Sequence, residues 1–546
     1  MTKTAARRIA AGYSTEGGAV TLGSVMVDGV ADPAAAVALP LSMVNRHGLI
    51  AGATGTGKTK TLQLFIEQLS ASGVPVVVAD IKGDLSGLAA PGEPGEAVAD
   101  RATRTGIDWA PEAYPVQFVS LGTEGIGVPV RATISGFGPI LLSKVLGLNA
   151  TQESTLGLIF HWADQQGLEL FDLKDLRSVI RHLTSDEGKA DLKDIGGVST
   201  ATAGVILRAL VNLEAAGGDT FFGDPELDPA DFMRTEGGRG VVTAVELGDQ
   251  STRPALFSTF LMWILAELFQ TLPEKGDVDR PELVFIFDEA HLLFADASKA
   301  FLEQVVQTVK LIRSKGVGVY FCSQQPSDIP KDVLSQLGAR IQHSLRVFTP
   351  EDQAALARTV RTYPKSDVYD IASALTSLGT GEAIVTVLSE RGAPTPVAWT
   401  LMTPPRSLMD TIGAAAIAEQ ARGSALYGKY GATVDPVSAF EKLAEKARAA
   451  EQSGLEAQAA ADAAGRQAEL ARAEAREHAQ QQARAGGGVG DVAADGAGEG
   501  AGRGEESFVD RAMANPAVRS FLRSAASAAG REISRNIFGT RSRRRR

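Results

Sequence analysis

Eight consecutive residues, Gly52, Ala53, Thr54, Gly55, Thr56, Gly57, Lys58 and Thr59, satisfy every fixed position of the pattern G-x-x-x-x-G-K-[ST]. The chemistry open to such a segment is the binding of a polyphosphate. Glycines let backbone N–H groups converge on phosphate oxygens, Lys58 places a point charge at the β and γ positions, and the Thr59 hydroxyl ligates Mg²⁺. A second segment, Leu283-Val284-Phe285-Ile286-Phe287-Asp288-Glu289, ends an apolar run on two carboxylates. There Asp288 would hold the metal's hydration shell, and Glu289 would orient and deprotonate an attacking water. A helix cap at a strand end is the plainer account of the same pair. The combination predicts an ATPase with ATP and Mg²⁺ as cofactors, in which Lys58 and Glu289 do catalytic work. The chain has no N-K-x-D base-reading motif of GTPases and no S-G-G-Q signature of ABC ATPases.

These residues need a frame that puts a loop and a strand end side by side. A short apolar run, His47 to Ala51, precedes the loop, and Leu62, Phe65, Ile66 and Leu69 repeat at helical spacing after it. That order aims a helix N-terminus out of a sheet edge, where anions bind. Further strands are expected at Val74 to Asp80, Val116 to Ser120, Val241 to Leu247, Leu283 to Asp288, Val317 to Cys322, Ile341 to Val347 and Ala383 to Leu388. Several are apolar throughout, as strands buried on both faces should be. The alternation of such runs with helical patterns predicts an α/β fold with a mostly parallel sheet.

With 546 residues, 44% of them hydrophobic and 22% charged, the bulk of the chain should fold around a large core. Cys322 is the single cysteine, which excludes internal disulfides and a cysteine-built zinc cluster. The N-terminus has no apolar run behind its basic residues, so a cytoplasmic protein is expected. Ala255 to Leu272 is the most apolar stretch, but Arg253, Glu267 and Gln270 mark it as a buried core helix rather than a membrane span. Net charge is -11, while the last sixteen residues hold seven Arg and one Glu. Nucleic acid would therefore be met by local basic surfaces, such as a ring lumen or this tail, rather than by the acidic body.

Five stretches follow from composition. Residues 1–46 form a short β-rich segment with strand-like pieces at Ala19 to Leu22 and Ser24 to Val27, and 47–402 form the ATPase core. Within the core, 130–213 reads as a helical insertion, with one stripe of Leu141, Leu142, Val145 and Leu146 and another of Ile206, Leu207, Leu210 and Val211. Residues 403–485 are Ala-rich, helical or weakly coiled-coil; 486–504 are a Gly-rich flexible linker; and 505–546 are an amphipathic helix with a basic tail.

The blocks NRHGLIAGATGTGKTKTLQ, VVVADIKGDLSGLA, FIFDEAHLLF and SQQPSDIPKDVLSQLGARIQHSLRVFTPEDQ resemble the HerA and FtsK superfamily of ring ATPases, most closely its bacterial helicase HerA-like branch. The likeness covers roughly residues 15 to 402. It implies a RecA-like core, usually hexameric, that moves DNA through a central pore. It also implies that Arg46 reaches the nucleotide of a neighbouring subunit and that Arg313 touches the nucleotide of its own. Gln324, at a strand end, would sense the γ-phosphate, although ordinary turn polarity explains it too. Where HerA often has an arginine next, this chain has Gln325. Asp80, Lys82 and Asp84 follow the second strand, at the carboxyl edge where α/β sheets bind ligands; sensing of nucleotide or DNA and a plain charged loop explain them equally well, so they receive no catalytic role. Arg340 and Arg346 are read as strand residues flanking His343, open to a phosphate or subunit contact. A HerA-type nuclease partner is not carried over, since 46 residues are too few for the archaeal N-terminal barrel. A rival function, powering protein secretion or remodelling a protein complex, shares the same core.

Overall fold

The computed structural model describes residues 2–123, 125–192, 196–247, 254–294 and 299–485. In chain order the strands are β1 (Ala19–Val27), β2 (Val30–Pro40), β3 (Gly48–Ala51), β4 (Val76–Asp80), β5 (Val116–Leu121), β6 (Val128–Val130), β7 (Thr235–Glu236), β8 (Arg239–Gly240), β9 (Val242–Glu246), β10 (Leu283–Phe287), β11 (Val317–Ser323), β12 (Ala339–Gln342), β13 (Glu382–Thr386) and β14 (Ala398–Met402). All but the β7–β8 ribbon belong to one sheet, ordered β2-β1-β14-β13-β12-β3-β11-β10-β4-β9-β5-β6. From β12 to β6 the pairings are parallel. From β12 back to β2 they are antiparallel.

Burial explains why the middle strands read as unbroken apolar runs. Every residue of β3, β4, β10 and β11 is buried, because helices cover both faces. Side chains alternate between the faces with a period of two. Leu49, Val77, Phe285, Phe287 and Phe321 pack on one side, while Ile50, Val78, Ile286, Tyr320 and Cys322 pack on the other with Leu62, Phe65, Ile66 and Leu69 of helix Lys58–Ala71. Helix Pro254–Thr271 joins the first side through Phe260, Trp263, Ile264 and Leu268. Among the described residues no helix is long and apolar enough to cross a membrane.

Four sequence expectations change. The pieces Ala19 to Leu22 and Ser24 to Val27 are a single strand, and with β2 it extends the core's own sheet through pairing with β14. The run Ile341 to Val347 is strand only as far as Gln342, so Arg346 lies outside it. In the region 130–213, Ile206 and Leu210 are buried as read, but Val211 is exposed. The core does not stop at 402: Glu67 accepts hydrogen bonds from the backbone N–H groups of Arg406 and Ser407, and Ala439 and Leu443 are part of the main core.

The chain divides into two units, Met1–Gly454 and Leu455–Arg546. Helix Ala439–Ala485 carries exposed Leu455 and Leu470. The linker at 486–504, the amphipathic piece and the arginine tail lie outside the described residues, as does Arg253.

Candidate nucleotide-binding site

A loop that wraps phosphates must present amides, not side chains, at its mouth. Three distant segments shape it here. Gly52 N–H donates to Ser323 O (3.1 Å), Ala53 N–H to Ser344 O (3.0 Å), and Gly381 N–H to Thr56 O (2.9 Å). Gly52 permits this closeness, because an added Cβ would lie 2.4 Å from His343 Cβ. Gly57 has φ 102° and caps helix Lys58–Ala71 without a side-chain bond, leaving the first-turn N–H groups available to an anion.

Strand order brings the acidic pair to this loop. β11 separates β3 from β10, with Phe321 opposite both Leu49 and Phe287, so Asp288 emerges at the same carboxyl edge as Gly52. Lys58 Nζ lies 3.9 Å from Asp288 Oδ1 and 3.6 Å from Glu289 Oε1, with all three side chains buried. Burial raises the Asp288 carboxyl above the usual carboxylate range, opposed by the Lys58 charge and reinforced by Glu289. Burial pushes Glu289 the same way, but a hydrogen bond from Lys82 and the charges of Lys58, Lys82 and His291 overcome it and hold that carboxyl low. Asp288 Oδ1 and Glu289 Oε2 are buried without a hydrogen-bond partner. Orphaned carboxylate oxygens beside an ammonium fit a hydrated cation and the phosphates it carries. Among the described residues no cluster of three or more His, Cys, Asp or Glu could hold a metal ion.

Two further carboxylates stand behind this pair. Asp80 is raised to about 6 by burial, partly offset by the Leu85 amide. Glu246 is raised to about 8 by burial and by Asp80, so it is protonated at neutral pH.

The other candidates separate. Gln324 directly follows Ser323, the residue bonded to Gly52, and its side chain is exposed at the loop's edge. Arg46 and Arg313 precede β3 and β11, at the sheet edge opposite the loop, and line one pocket of about 460 Å³ with His47 and Lys310. A four-residue strand spans about 13 Å, beyond the reach of an arginine side chain at its start. The expectation that Arg313 touches the nucleotide of its own subunit is therefore corrected. The arginine beside the loop is Arg346, whose Nη2 donates to Thr54 O at 3.0 Å. Arg340 instead bonds to Thr362 Oγ1.

His343 and Lys82 are residues at the site to which sequence reasoning gave no role. His343 N–H donates to Ala51 O, and its Nδ1 lies 2.8 Å from Glu382 O. A carbonyl only accepts, so Nδ1 carries the proton. Lys82 forms an ion pair with Glu289 Oε1. Its place after a strand, which in a parallel sheet is the ligand edge, was legible in the sequence, but its partner was not.

The sequence matches the model for the helicase HerA-like C-terminal family over residues 27–546. The chain belongs to that family. With it the chain falls among the P-loop ATPases. A stretch of 149 residues is 26% identical to the DNA double-strand break repair helicase HerA of Sulfolobus acidocaldarius, covering 27% of this chain and 29% of that relative. The chain thus spans less than a third of that helicase. Among solved structures, the unbound conjugative coupling protein TrwB is 14% identical, with a TM-score of 0.46 over 74% of this chain and 94% of that one. VirB4 of Thermoanaerobacter pseudethanolicus is 14% identical, with a TM-score of 0.42 over 71% and 97%.

Proposed function

We propose that this helicase HerA-like protein is an ATP-hydrolysing ring motor that acts on DNA. The observation that carries the reading is the meeting of Lys58 with Asp288 and Glu289 at the mouth of an amide-lined loop. Lys58 and the loop amides from Gly52 to Thr59 hold the β and γ phosphates. Thr59 and Asp288 would hold Mg²⁺, which when bound would supply charge neutralisation for the phosphates. Glu289, buried and kept ionised, orients the attacking water.

Arg46, with Arg313 beside it, lines a pocket at the sheet edge away from its own phosphate loop, and in this reading it serves the nucleotide of a neighbouring subunit. That placement supports a ring in which each site is completed from outside. DNA as the substrate draws on family membership and on the similarity to a DNA repair helicase. ATP turnover of the purified protein, measured alone, with duplex DNA and with single-stranded DNA, tests the reading. Stimulation by either DNA is expected. Turnover indifferent to both would move the substrate to a protein, and no turnover at all would end the ATPase reading.

A further inference from the structure

Glu289 is an awkward residue to hold still. It has φ 47°, a left-handed backbone that non-glycine residues seldom adopt, and its side chain is 5% exposed. A carboxylate in that position needs something to fix its rotation. Lys58 Nζ approaches Oε1, but Lys58 is also the cation the phosphates require. The other ammonium at Oε1 is that of Lys82.

Lys82 reaches Glu289 through backbone register, not through a chance rotamer. β4 pairs with β10 so that Ala79 lies opposite Phe287, which sets Asp80 and Ile81 alongside Asp288 and Glu289 as both strands end, with Lys82 the next residue on. The turn that presents Lys82 is itself fastened. Asp80 accepts hydrogen bonds from Gly83 N–H at 2.8 Å and Leu85 N–H at 2.9 Å, Gly83 takes φ 72°, and Ser86 Oγ donates to Gly83 O at 3.0 Å. The Lys82 side chain is 48% exposed, so its stem is not demanded by the core.

We propose that Lys82 is a positioning residue for Glu289, gripping Oε1 so that Oε2 faces the water that attacks the terminal phosphate. The inference rests on Glu289 being the water-activating carboxylate. Oε2 makes no hydrogen bond; His291 Nδ1 lies 3.3 Å from it, within ion-pair distance when that histidine is protonated but without a hydrogen bond. In the step it serves, the water oxygen bonds to the terminal phosphorus as the bond to the bridging oxygen breaks. The water proton is taken at Oε2 and then leaves with the phosphate product. Lys82 touches neither water nor phosphate. Its ammonium fixes which oxygen is engaged and which is free.

The test is steady-state and single-turnover ATP hydrolysis by the full-length protein and its Lys82→Ala, Lys82→Met and Lys82→Arg variants, each also made in a Glu289→Gln background. Lys82→Ala and Lys82→Met should lose tenfold or more in kcat, with KM and the affinity for a non-hydrolysable ATP analogue within about twofold of wild type. Lys82→Arg should recover part of the loss. In the Glu289→Gln background Lys82→Ala should add nothing further, because the carboxylate it positions is gone. A role in folding alone would instead weaken analogue binding and add to the Glu289→Gln loss. Unchanged or faster turnover in Lys82→Ala, or full additivity, overturns the proposal. Wild-type turnover in Glu289→Gln would overturn the role of Glu289 itself, a separate outcome from any result at Lys82.

Discussion

Arg46 and Arg313 line one pocket at the sheet edge opposite the phosphate loop, and Arg46 is tethered there to exposed Asp277 at 3.1 Å. The exposed partner makes the tether weak, because surface ion pairs are typically worth 0–1 kcal/mol. The guanidinium is free to be recruited by a stronger anion on a neighbouring molecule.

Doping wild-type protein with Arg46→Ala subunits should therefore depress ATP turnover more than in proportion to the dose, and Arg313→Ala subunits should do the same. A titration of activity against mutant fraction at constant total protein checks this. A straight line for both would mean that each subunit works alone.

Within one subunit, Lys58→Ala should abolish hydrolysis and weaken nucleotide binding, since the phosphates lose their point charge. Glu289→Gln should keep binding ATP while failing to hydrolyse it. Fluorescent-nucleotide affinity measured beside phosphate release separates the two, and near-normal release by either variant would contradict the assigned roles.

Burial drives His343 down to about 4, against an ordinary histidine value near 6.5. The unfolded chain binds the proton first, so this contribution to stability is complete above about pH 6.5 and is lost as pH falls toward 4. The unfolding free energy should decline across that interval by an amount on the order of 3 kcal/mol for this group, and the urea midpoint should fall with it. His343→Asn should flatten the decline only in part, because His47, also lowered to about 4 by burial, acts in the same sense. A midpoint unchanged between pH 6.5 and 4.5 would show that His343 is not held neutral.

The seven arginines among the last sixteen residues predict a salt-sensitive polyanion affinity that the ATPase core does not need. Truncation after Gly530 should lower DNA affinity in 50 mM salt, lower it much less in 200 mM, and leave basal turnover nearly intact. Loss of turnover or of the oligomer on truncation would make the tail an assembly element instead.

Much of the site was legible because its pieces are local. A phosphate loop is a fixed run of eight residues, and an apolar strand ending in Asp288 and Glu289 announces itself. What escaped depends on strand order and direction. Arg313 precedes β11, and in a parallel sheet that fact alone assigns it to the edge away from Gly52, a signal present in the sequence but not drawn out of it. Lys82 needed the knowledge that β4 and β10 are neighbours. Arg346 was hidden by an alternation that continues past Gln342 with no glycine or proline to mark where the strand ends. The bonds from Ala53 N–H to Ser344 O and from Arg346 Nη2 to Thr54 O show the chain turning toward the loop.

Residues 323, 344 and 381 each hold one bond of the phosphate loop, from three segments far apart in the chain. A ligand meeting such a loop has little ordering left to impose, so its affinity records how firmly those distant segments are seated. In linkage terms, loosening any one of them adds its cost to nucleotide binding before it shows as loss of the fold. A defect in binding can therefore originate in a strand that no nucleotide touches.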